Sequence, residues 1–217
     1  MKILVAGCSS GIGEYLYHRY GGDSVYETMG LSRTKGNYLV DATDPREVFR
    51  AINDFKPDIM INCIGQAAMN PVMVSSTSQY ERVVTNNLRS TFILCREAGR
   101  HMLRNKFGRI VNFGSCTTAM EIEGEALYTA SKAGVLAFSR VLAKEFAPHV
   151  TVNCISPGPV DTRLIKGVKP EKIQAVVDRQ IIKRKATFED IEYVVHFLIS
   201  PEARGITGQN IFINGAG

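Results

Sequence analysis

Short apolar runs alternate with longer amphipathic stretches along most of this 217-residue chain, and this alternation limits the possible folds more than any other feature. The apolar runs have strand length and lie at about 2–6, 25–31, 38–40, 59–64, 110–113, 151–155 and 210–213. The helix-like stretches lie at about 12–20, from 45 onward, and at 79–104, 128–146 and 191–199. Asp44 suits the N-cap of the second of these helices, and Pro45 suits its first turn. Such alternation predicts an α/β protein, in which a parallel sheet is covered by helices on both faces.

The chain shows no change in composition that would mark a linker, so we expect a single domain over residues 1–217. A polar, irregular segment at about 161–185 interrupts the pattern and is a candidate lid. No apolar run is long enough to span a membrane. The first predicted strand begins at Lys2 without a signal peptide before it, which predicts a cytoplasmic protein.

The net charge of +5 leaves several kinds of partner open. Nucleic acid is not expected, because the basic residues are spread along the chain rather than clustered. A phosphorylated cofactor or an acidic substrate fits better. The five cysteines form no CxxC pair and are expected to be reduced and buried, and the four histidines show no metal-ligand spacing. We therefore expect no bound metal.

A glycine-rich turn, residues 7–13, joins the first predicted strand to the first predicted helix. Glycine permits a tight turn and a close approach of the backbone to a pyrophosphate, and the helix N-terminus offers free N–H groups to that anion. In the first βα unit of a sheet protein, this turn predicts a Rossmann-type, doubly wound fold that binds a dinucleotide. The predicted contacts come from Gly7, Ser9, Ser10, Gly11, Ile12 and Gly13.

The residues after the second predicted strand, Leu31 to Thr34, favour NADPH over NADH. An acidic residue there would accept hydrogen bonds from the free ribose hydroxyls of NAD, and none is present. Arg33 can instead pair with a 2′-phosphate, while Ser32 and Thr34 can donate hydrogen bonds to it. NADH is the less favoured alternative.

Tyr128 and Lys132 are separated by four positions on a predicted helix and therefore share one face. A nearby ammonium favours the phenolate form, so the spacing suggests a tyrosine prepared for general acid–base catalysis. This spacing alone is common by chance. The residues Tyr128-Thr129-Ala130-Ser131-Lys132, preceded by Gly114-Ser115 and by the glycine turn, resemble the short-chain dehydrogenase/reductase family over essentially the whole chain.

The resemblance implies a catalytic set of four residues: Asn87, Ser115, Tyr128 and Lys132. Tyr128 would give a proton to a carbonyl oxygen that Ser115 orients, while Lys132 would bind the nicotinamide ribose and Asn87 would hold a relay water. The same resemblance implies further cofactor contacts at Asp41, Ala42, Asn62, Gly65, Pro157, Gly158, Val160 and Thr162. Cys63 and Ile64 depart from the family pattern beside the cofactor, which puts the local packing in doubt.

Within the family the chain is most similar to 3-oxoacyl-[acyl-carrier-protein] reductases, which implies an acyl substrate on a carrier protein or coenzyme A. A basic patch of Arg100, Arg104, Lys106 and Arg109 lies where such enzymes present cations to the carrier, although His149 stands at a further docking position. A non-acyl ketone, a sugar or a polyketide-type alcohol is the alternative substrate. A non-catalytic NADPH-binding regulator is a more remote alternative. The resemblance also implies a homodimer or homotetramer.

Overall fold

A computed structural model describes residues 1–215. Its strands are β1 Lys2–Ala6, β2 Glu27–Ser32, β3 Tyr38–Leu39, β4 Ile59–Asn62, β5 Gly108–Phe113, β6 Val150–Ser156 and β7 Asn210–Phe212. Its helices are α1 Gly11–Gly21, α2 Pro45–Phe55, α3 Thr77–Val84, α4 Ser90–Arg104, α5 Thr117–Met120, α6 Ala126–Glu145, α7 Pro170–Asp178 and α8 Phe188–Ile199.

The seven strands form one parallel sheet in the order β3-β2-β1-β4-β5-β6-β7. The order reverses between β1 and β4, and in open α/β sheets a ligand crevice forms at such a reversal, beyond the carboxyl ends of the strands. The predicted Rossmann-type, three-layer fold is confirmed. Its topology places the glycine turn after β1 at the edge of this crevice.

Alternate residues of the strands supply two separate cores, because successive side chains of a strand point to opposite faces. On β1, Leu4 packs into the core that includes α2, α4 and α6. Ile3 and Val5 pack into the core that includes α1 and α8. Both faces of the sheet are therefore buried, as the nearly continuous apolar strands predict.

The predicted start of α2 is confirmed in detail. The carboxylate of Asp44 accepts hydrogen bonds from the backbone N–H groups of Arg46 and Glu47, and Pro45 occupies the first helical turn. This arrangement satisfies N–H groups that the helix leaves without partners. The sequence predicted this cap from residue types that act locally.

The long helix predicted at 79–104 is correct in extent but not in regularity. It begins at Thr77, and a π turn at Thr85–Arg89 separates α3 from α4. In this turn the Ser90 N–H donates to the Thr85 carbonyl, five residues back. The Ser90 hydroxyl donates to the Asn86 carbonyl (2.6 Å) and the Thr91 hydroxyl to the Asn87 carbonyl (2.7 Å). Hydroxyl groups thus satisfy carbonyls that the wider turn leaves open.

Candidate active site

The glycine turn brings the backbone of residues 7–13 close to the end of β4. Gly7 and Gly11 have φ values of 83° and 57°, in the left-handed region that side chains disfavour. Gly13 packs so tightly that a Cβ would overlap the Gly7 carbonyl oxygen. The turn is therefore compact, and its residues 10–12 form one wall of a cradle at the N-terminus of α1. The free N–H groups of a helix N-terminus suit the pyrophosphate of a dinucleotide.

A segment after β6 closes the other side of this cradle. A Cβ on Gly11 would lie 3.1 Å from the Thr162 side chain. The guanidinium of Arg163 donates to the carbonyl oxygen of Ser9 (2.9 Å), and Ser10 and Ile12 line the adjoining cleft. The structure thus brings residues 9–12 and Thr162 together, as the sequence predicts.

The loop after β2 differs in part from the prediction. Ser32 is buried, and its hydroxyl donates to the Lys35 carbonyl (2.6 Å) while accepting from the Thr34 and Lys35 N–H groups. Its proton is therefore used within the loop, and Ser32 shapes the loop instead of donating to a phosphate. Arg33 and Thr34 are exposed, and Arg33 forms no ion pair within residues 1–215.

Asp41 lies at the same end of the sheet. Its Oδ1 accepts hydrogen bonds from the Thr43 N–H (2.9 Å) and hydroxyl (2.8 Å). Burial alone would raise the pKa of the Asp41 carboxyl, but these hydrogen bonds and the charges of Arg33 and Arg89 hold it below its ordinary value. Asp41 is therefore an acceptor at neutral pH, whereas the predicted neighbour Ala42 is buried in the core.

Asn62 and Gly65, both predicted to contact the cofactor, have different positions. Asn62 is buried, and its amide nitrogen bonds to the Thr91 hydroxyl (3.0 Å) and to Asn112 Oδ1 (3.2 Å). Its amide therefore ties β4 to α4 and β5 behind the cleft, which its side chain does not line. Gly65 lines the cleft, and a Cβ there would lie 3.2 Å from the Lys132 ammonium.

A cleft of about 970 Å³ opens at the carboxyl edge of the sheet, between the glycine turn and residues 161–179. Ser115, at the end of β5, and Tyr128 and Lys132, on α6, line it together with Ser10 and Gly11. Each of the three catalytic candidates is buried. The structure therefore assembles three side chains that are separated in sequence beside the cradle for a dinucleotide.

The hydroxyl of Ser115 accepts hydrogen bonds from the Thr117 N–H (3.3 Å) and hydroxyl (3.1 Å). With its lone pairs engaged, it retains a proton to donate. The neighbouring Pro157 carbonyl accepts from the Cys116 N–H (3.0 Å), which joins the loop after β5 to the loop after β6. These contacts with its own loop fix the Ser115 hydroxyl and leave it able to donate a hydrogen bond.

Tyr128 shows a pKa shift opposite to the sequence-based expectation. Burial raises the pKa of its phenol above the ordinary value, the Ser115 hydroxyl opposes this, and the Glu125 charge adds to it. The Lys132 ammonium does not lower it in this arrangement. Tyr128 is therefore protonated at neutral pH and able to donate a proton.

Burial lowers the pKa of the Lys132 ammonium to about 8. Its Nζ donates to the carbonyl oxygen of Phe113 (2.8 Å) and, at 3.5 Å, to that of Ile64. These bonds fix the ammonium between β4 and β5 and leave one N–H available for a ligand.

Asn87 lies in the π turn and is fully buried. Its Oδ1 accepts from the Gln66 N–H (2.7 Å), and its amide nitrogen donates to the Gln66 carbonyl (2.9 Å) and to the Ser131 hydroxyl (2.8 Å). Ser131 in turn donates to the Tyr128 carbonyl (2.7 Å). The Asn87 side chain therefore positions the loop after β4 and the start of α6.

The segment after β6, predicted to contact the cofactor, forms part of the cleft. Pro157, Gly158, Val160 and Thr162 all line it. Val160 pairs with Ala186, so the segment at 161–185 begins and ends beside the sheet. Within that segment only α7 is a regular helix. Two cations of the segment line the cleft, Lys172 in α7 and Arg179 directly after it.

The predicted basic patch lies at the opposite edge of the sheet. Lys106 and Arg109 stand at the amino end of β5, whereas Ser115 follows its carboxyl end. Arg109 is buried against the Phe107 ring, and Arg100 pairs with Glu97 (3.3 Å). The prediction that Arg109 is presented to a carrier is therefore wrong for this chain, and the patch does not border the chain's own cleft.

Gln66 and Glu125 are functional-site candidates that the sequence-based interpretation missed. Gln66 holds Asn87 through its backbone, so its residue type gives no signal. Glu125 is a buried carboxyl three positions before Tyr128, and it lines the cleft. Its proximity to Tyr128 in sequence was a usable signal, because helical spacing of three places two side chains on one face.

The fold and the cleft define an oxidoreductase of the Rossmann class. Residues 24–216 match the family described as enoyl-(acyl carrier protein) reductase. The chain is 34% identical to the 3-oxoacyl-[acyl-carrier-protein] reductase FabG of Vibrio cholerae, over 98% of this chain and 95% of the relative. It therefore belongs to the short-chain dehydrogenase/reductase family.

Further similarities agree with this assignment. The reductase MabA of Mycobacterium bovis is 31% identical over 99% of this chain and 91% of the relative. A 4-hydroxyisoleucine dehydrogenase complexed with NADH has a TM-score of 0.86 and 28% identity, over 99% of this chain and 97% of that chain. A putative gluconate 5-dehydrogenase of Beutenbergia cavernae with bound NADP has a TM-score of 0.89 and 27% identity, over 97% and 94%.

Two negative findings apply to residues 1–215. No three His, Cys, Asp or Glu side chains are grouped so that they could hold a metal ion. No helix in this range combines the length and apolar character that a membrane crossing needs. The five cysteines are free thiols, of which Cys63 is half-buried and the others are buried.

Proposed function

We propose that the protein reduces a ketone to a secondary alcohol with NADPH, with Tyr128 as the proton donor. The observation that carries this proposal is the placement of Ser115, Tyr128 and Lys132 in one cleft beside the glycine turn. A bound nicotinamide would supply hydride to the carbonyl carbon. The glycine cradle, which a Cβ would fill, supports the fit of a dinucleotide.

The side chains divide the remaining work. Ser115 donates its free proton to the substrate oxygen, and Tyr128, kept protonated by burial, transfers its own proton to that oxygen as negative charge develops there. Lys132 uses its remaining N–H to hold the ribose of the cofactor. Asn87 positions the surrounding loop, and the relay of protons through a water remains a prediction.

The preference for NADPH is part of the proposal. Its support is the exposed Arg33 at the end of β2, in a loop without an acidic residue at 31–34. A guanidinium binds phosphate oxygens through two parallel hydrogen bonds. It has no acceptor for the hydrogen bonds that the free ribose hydroxyls of NADH donate to a carboxylate.

Two substrate classes are candidates. A 3-oxoacyl thioester, carried on coenzyme A or on an acyl carrier protein, is supported by the names of the curated relatives. A non-acyl, hydroxylated ketone is supported by Glu125, whose buried carboxyl suits a polar substrate better than an alkyl chain.

The test is NADPH oxidation with acetoacetyl thioesters on coenzyme A and on carrier protein, and with small ketones, while NADH is assayed in parallel. We expect turnover with NADPH that Tyr128→Phe lowers at least about 10³-fold in kcat. Tyr193→Phe, on the exposed surface of α8, is the matched control and keeps full activity. Turnover that survives Tyr128→Phe would contradict the mechanism, and absence of turnover on every carbonyl would contradict the function.

Assembly and location complete the proposal. We propose a homodimer or homotetramer that associates through α4 and α6, where Phe92 and Val141 are 42% and 53% exposed. Light scattering on the purified protein would measure the assembly. We also propose that the chain is a single cytosolic domain and that residues 161–185 act as its lid over the substrate.

A further inference from the structure

Glu125 is an acidic side chain inside the cleft to which the mechanism above gives no role. It immediately precedes α6 and stands three positions before Tyr128. Only 9% of the residue is exposed, and it lines the same cleft as Ser115 and Tyr128. Residues three apart at the start of a helix share a face, with about 5–6 Å between their Cβ atoms.

The carboxyl of Glu125 has no partner among the described residues 1–215. It takes part in no ion pair and no side-chain hydrogen bond, and it does not cap α6 although it occupies the capping position. Its backbone groups are satisfied, since the N–H donates to Ile122 (3.1 Å) and the carbonyl accepts from Thr129 (2.7 Å). The carboxyl oxygens are open to the cleft and are not enclosed by protein atoms. A ligand that displaces solvent from them binds well only if it supplies a hydrogen bond in its place.

The surroundings of Glu125 limit what that ligand can be. Lys172 and Arg179 bring positive charge to the lid side of the cleft, and the Arg179 guanidinium donates to the Met120 carbonyl. These cations disfavour a positively charged substrate. Glu121 and Glu123 are exposed, so water satisfies them. Much of the remaining lining is apolar, with Met69, Pro71, Ile122, Leu164, Ile165, Val168, Ile173 and Val176.

We infer that Glu125 determines substrate specificity by accepting a hydrogen bond from a neutral hydroxyl on the carbon next to the reacting carbon. The inference rests on the proposed function and names its substrate class, the hydroxylated ketones and the vicinal diols formed from them. Glu125 and Tyr128 lie one helical turn apart in one cleft, so a substrate whose reacting oxygen contacts Tyr128 has its neighbouring carbon on the side of Glu125. An alkyl group at that place would leave the carboxyl buried without a partner.

Three alcohols of one skeleton, CH3–CH(OH)–CH2–X, test the inference in the oxidative direction with NADP⁺. They are 2-butanol, 1,2-propanediol and 1-amino-2-propanol, in which X is methyl, hydroxyl or ammonium, and each is assayed as both enantiomers. We expect the wild-type kcat/KM for the diol to exceed that for 2-butanol by roughly tenfold or more. Glu125→Leu removes this preference, which is read as the ratio of the two kcat/KM values, so that any change common to both alcohols cancels.

Two further variants separate the role of Glu125 from general damage to the cleft. Glu125→Gln keeps an accepting oxygen and retains most of the preference for the diol. Glu123→Leu alters an exposed carboxyl of the same segment and leaves the preference within about twofold of the wild type, because water competes at that position.

Several outcomes would overturn the inference without touching the proposed function. These are an equal preference in wild type and Glu125→Leu, a preference for the ammonium compound, or reduction of acetoacetyl-coenzyme A by an enzyme that oxidises none of the three alcohols. Failure with the alcohols, the thioesters and the ketones together would instead overturn the proposed function.

Discussion

The glycine turn and the catalytic residues lie on two sides of one cleft, yet they depend on opposite features of their side chains. In the glycine turn, space is the essential feature, since a Cβ on Gly13 would overlap the Gly7 carbonyl. At Ser115, Tyr128 and Lys132 the side chains themselves are essential. They are buried, and specific hydrogen bonds hold Ser115 and Lys132 in place. One side therefore fails when atoms are added, and the other fails when atoms are removed.

This difference also separates the quantities that a mutation should change. Loss of a donor that acts on the reacting oxygen lowers kcat, because that interaction strengthens in the transition state. Loss of space in the turn weakens cofactor binding and stability, with little effect on the chemical step once cofactor is bound. A variant of the turn that lowered kcat with cofactor bound, or a catalytic variant that weakened cofactor binding, would show that the two sides are not independent.

After Tyr128→Phe, Ser115→Ala should give the largest effect on the catalytic side. We expect kcat to fall roughly 10²–10³-fold, since a donor to the developing oxyanion is lost, while the dissociation constant for NADPH stays the same. Steady-state kinetics and cofactor titration together measure both quantities. An equal loss of cofactor affinity would mean that Ser115 also shapes the cradle.

Gly13→Ala should give the next largest effect, now on the cofactor side. The added methyl overlaps backbone, so we expect NADPH affinity to fall roughly 10–100-fold and the melting temperature to drop. The matched control is Gly21→Ala, since a Cβ on Gly21 meets nothing within 4 Å. If both variants bind NADPH equally well, the tight turn is not what limits binding.

Arg33→Ala sharpens the comparison. Arg33 lies on the cofactor side, but it is proposed to bind the cofactor with its side chain, whereas the glycines act by lacking one. We expect the ratio of kcat/KM for NADPH to that for NADH to fall roughly tenfold, mainly through NADPH. Arg46→Ala, at an exposed cation of α2, should leave the ratio unchanged. An unchanged ratio in Arg33→Ala would remove the basis for the NADPH proposal.

Lys132 lies among the catalytic residues but is proposed to bind the cofactor, so it links the two sides. The change of its ionisation with pH should have the smallest effect, and that effect is on NADPH affinity. Burial lowers its pKa to about 8, so the charged form is present below that pH and is lost above it. A bound ribose favours the ammonium, and NADPH affinity should therefore weaken roughly five- to tenfold between about pH 7 and pH 9. Fluorescence titration measures this, and Lys132→Met should give a flat profile. A flat wild-type profile would contradict the assignment.

The parts of the molecule that the sequence predicted correctly are those specified by local residue patterns. The order of strands and helices follows from apolar periodicity, and the start of α2 follows from Asp44 and Pro45. The positions of Ser115, Tyr128 and Lys132 follow from motifs, and the parallel sheet then brings them to one edge. Local chemistry and topology together sufficed for these features.

The parts that were missed depend on contacts that residue type does not specify. Ser32 has the residue type of a phosphate donor, but its own loop takes its proton. Asn62 has the type of a cofactor ligand, but it bonds to Thr91 and Asn112. Arg109 carries a surface charge by type, yet Phe107 and the β5 backbone bury it. In each case the partner that the fold supplies decides the role, whether it lies one to three residues away or in another element, and residue type alone does not predict it.

The π turn at Thr85–Arg89 makes the length of this helix a sensitive quantity. Such a turn holds one residue more than a regular α-helical turn, and each residue of an α-helix rotates the chain by about 100°. The wide turn absorbs this extra residue. Closing it into a regular hydrogen-bond ladder with every residue kept would turn all of α4 about its axis by about 100°. Ile93 and Leu94 would then leave the core, and the gap would be felt far from Asn87. The local irregularity thus sets the rotational phase of the fifteen-residue helix that follows it.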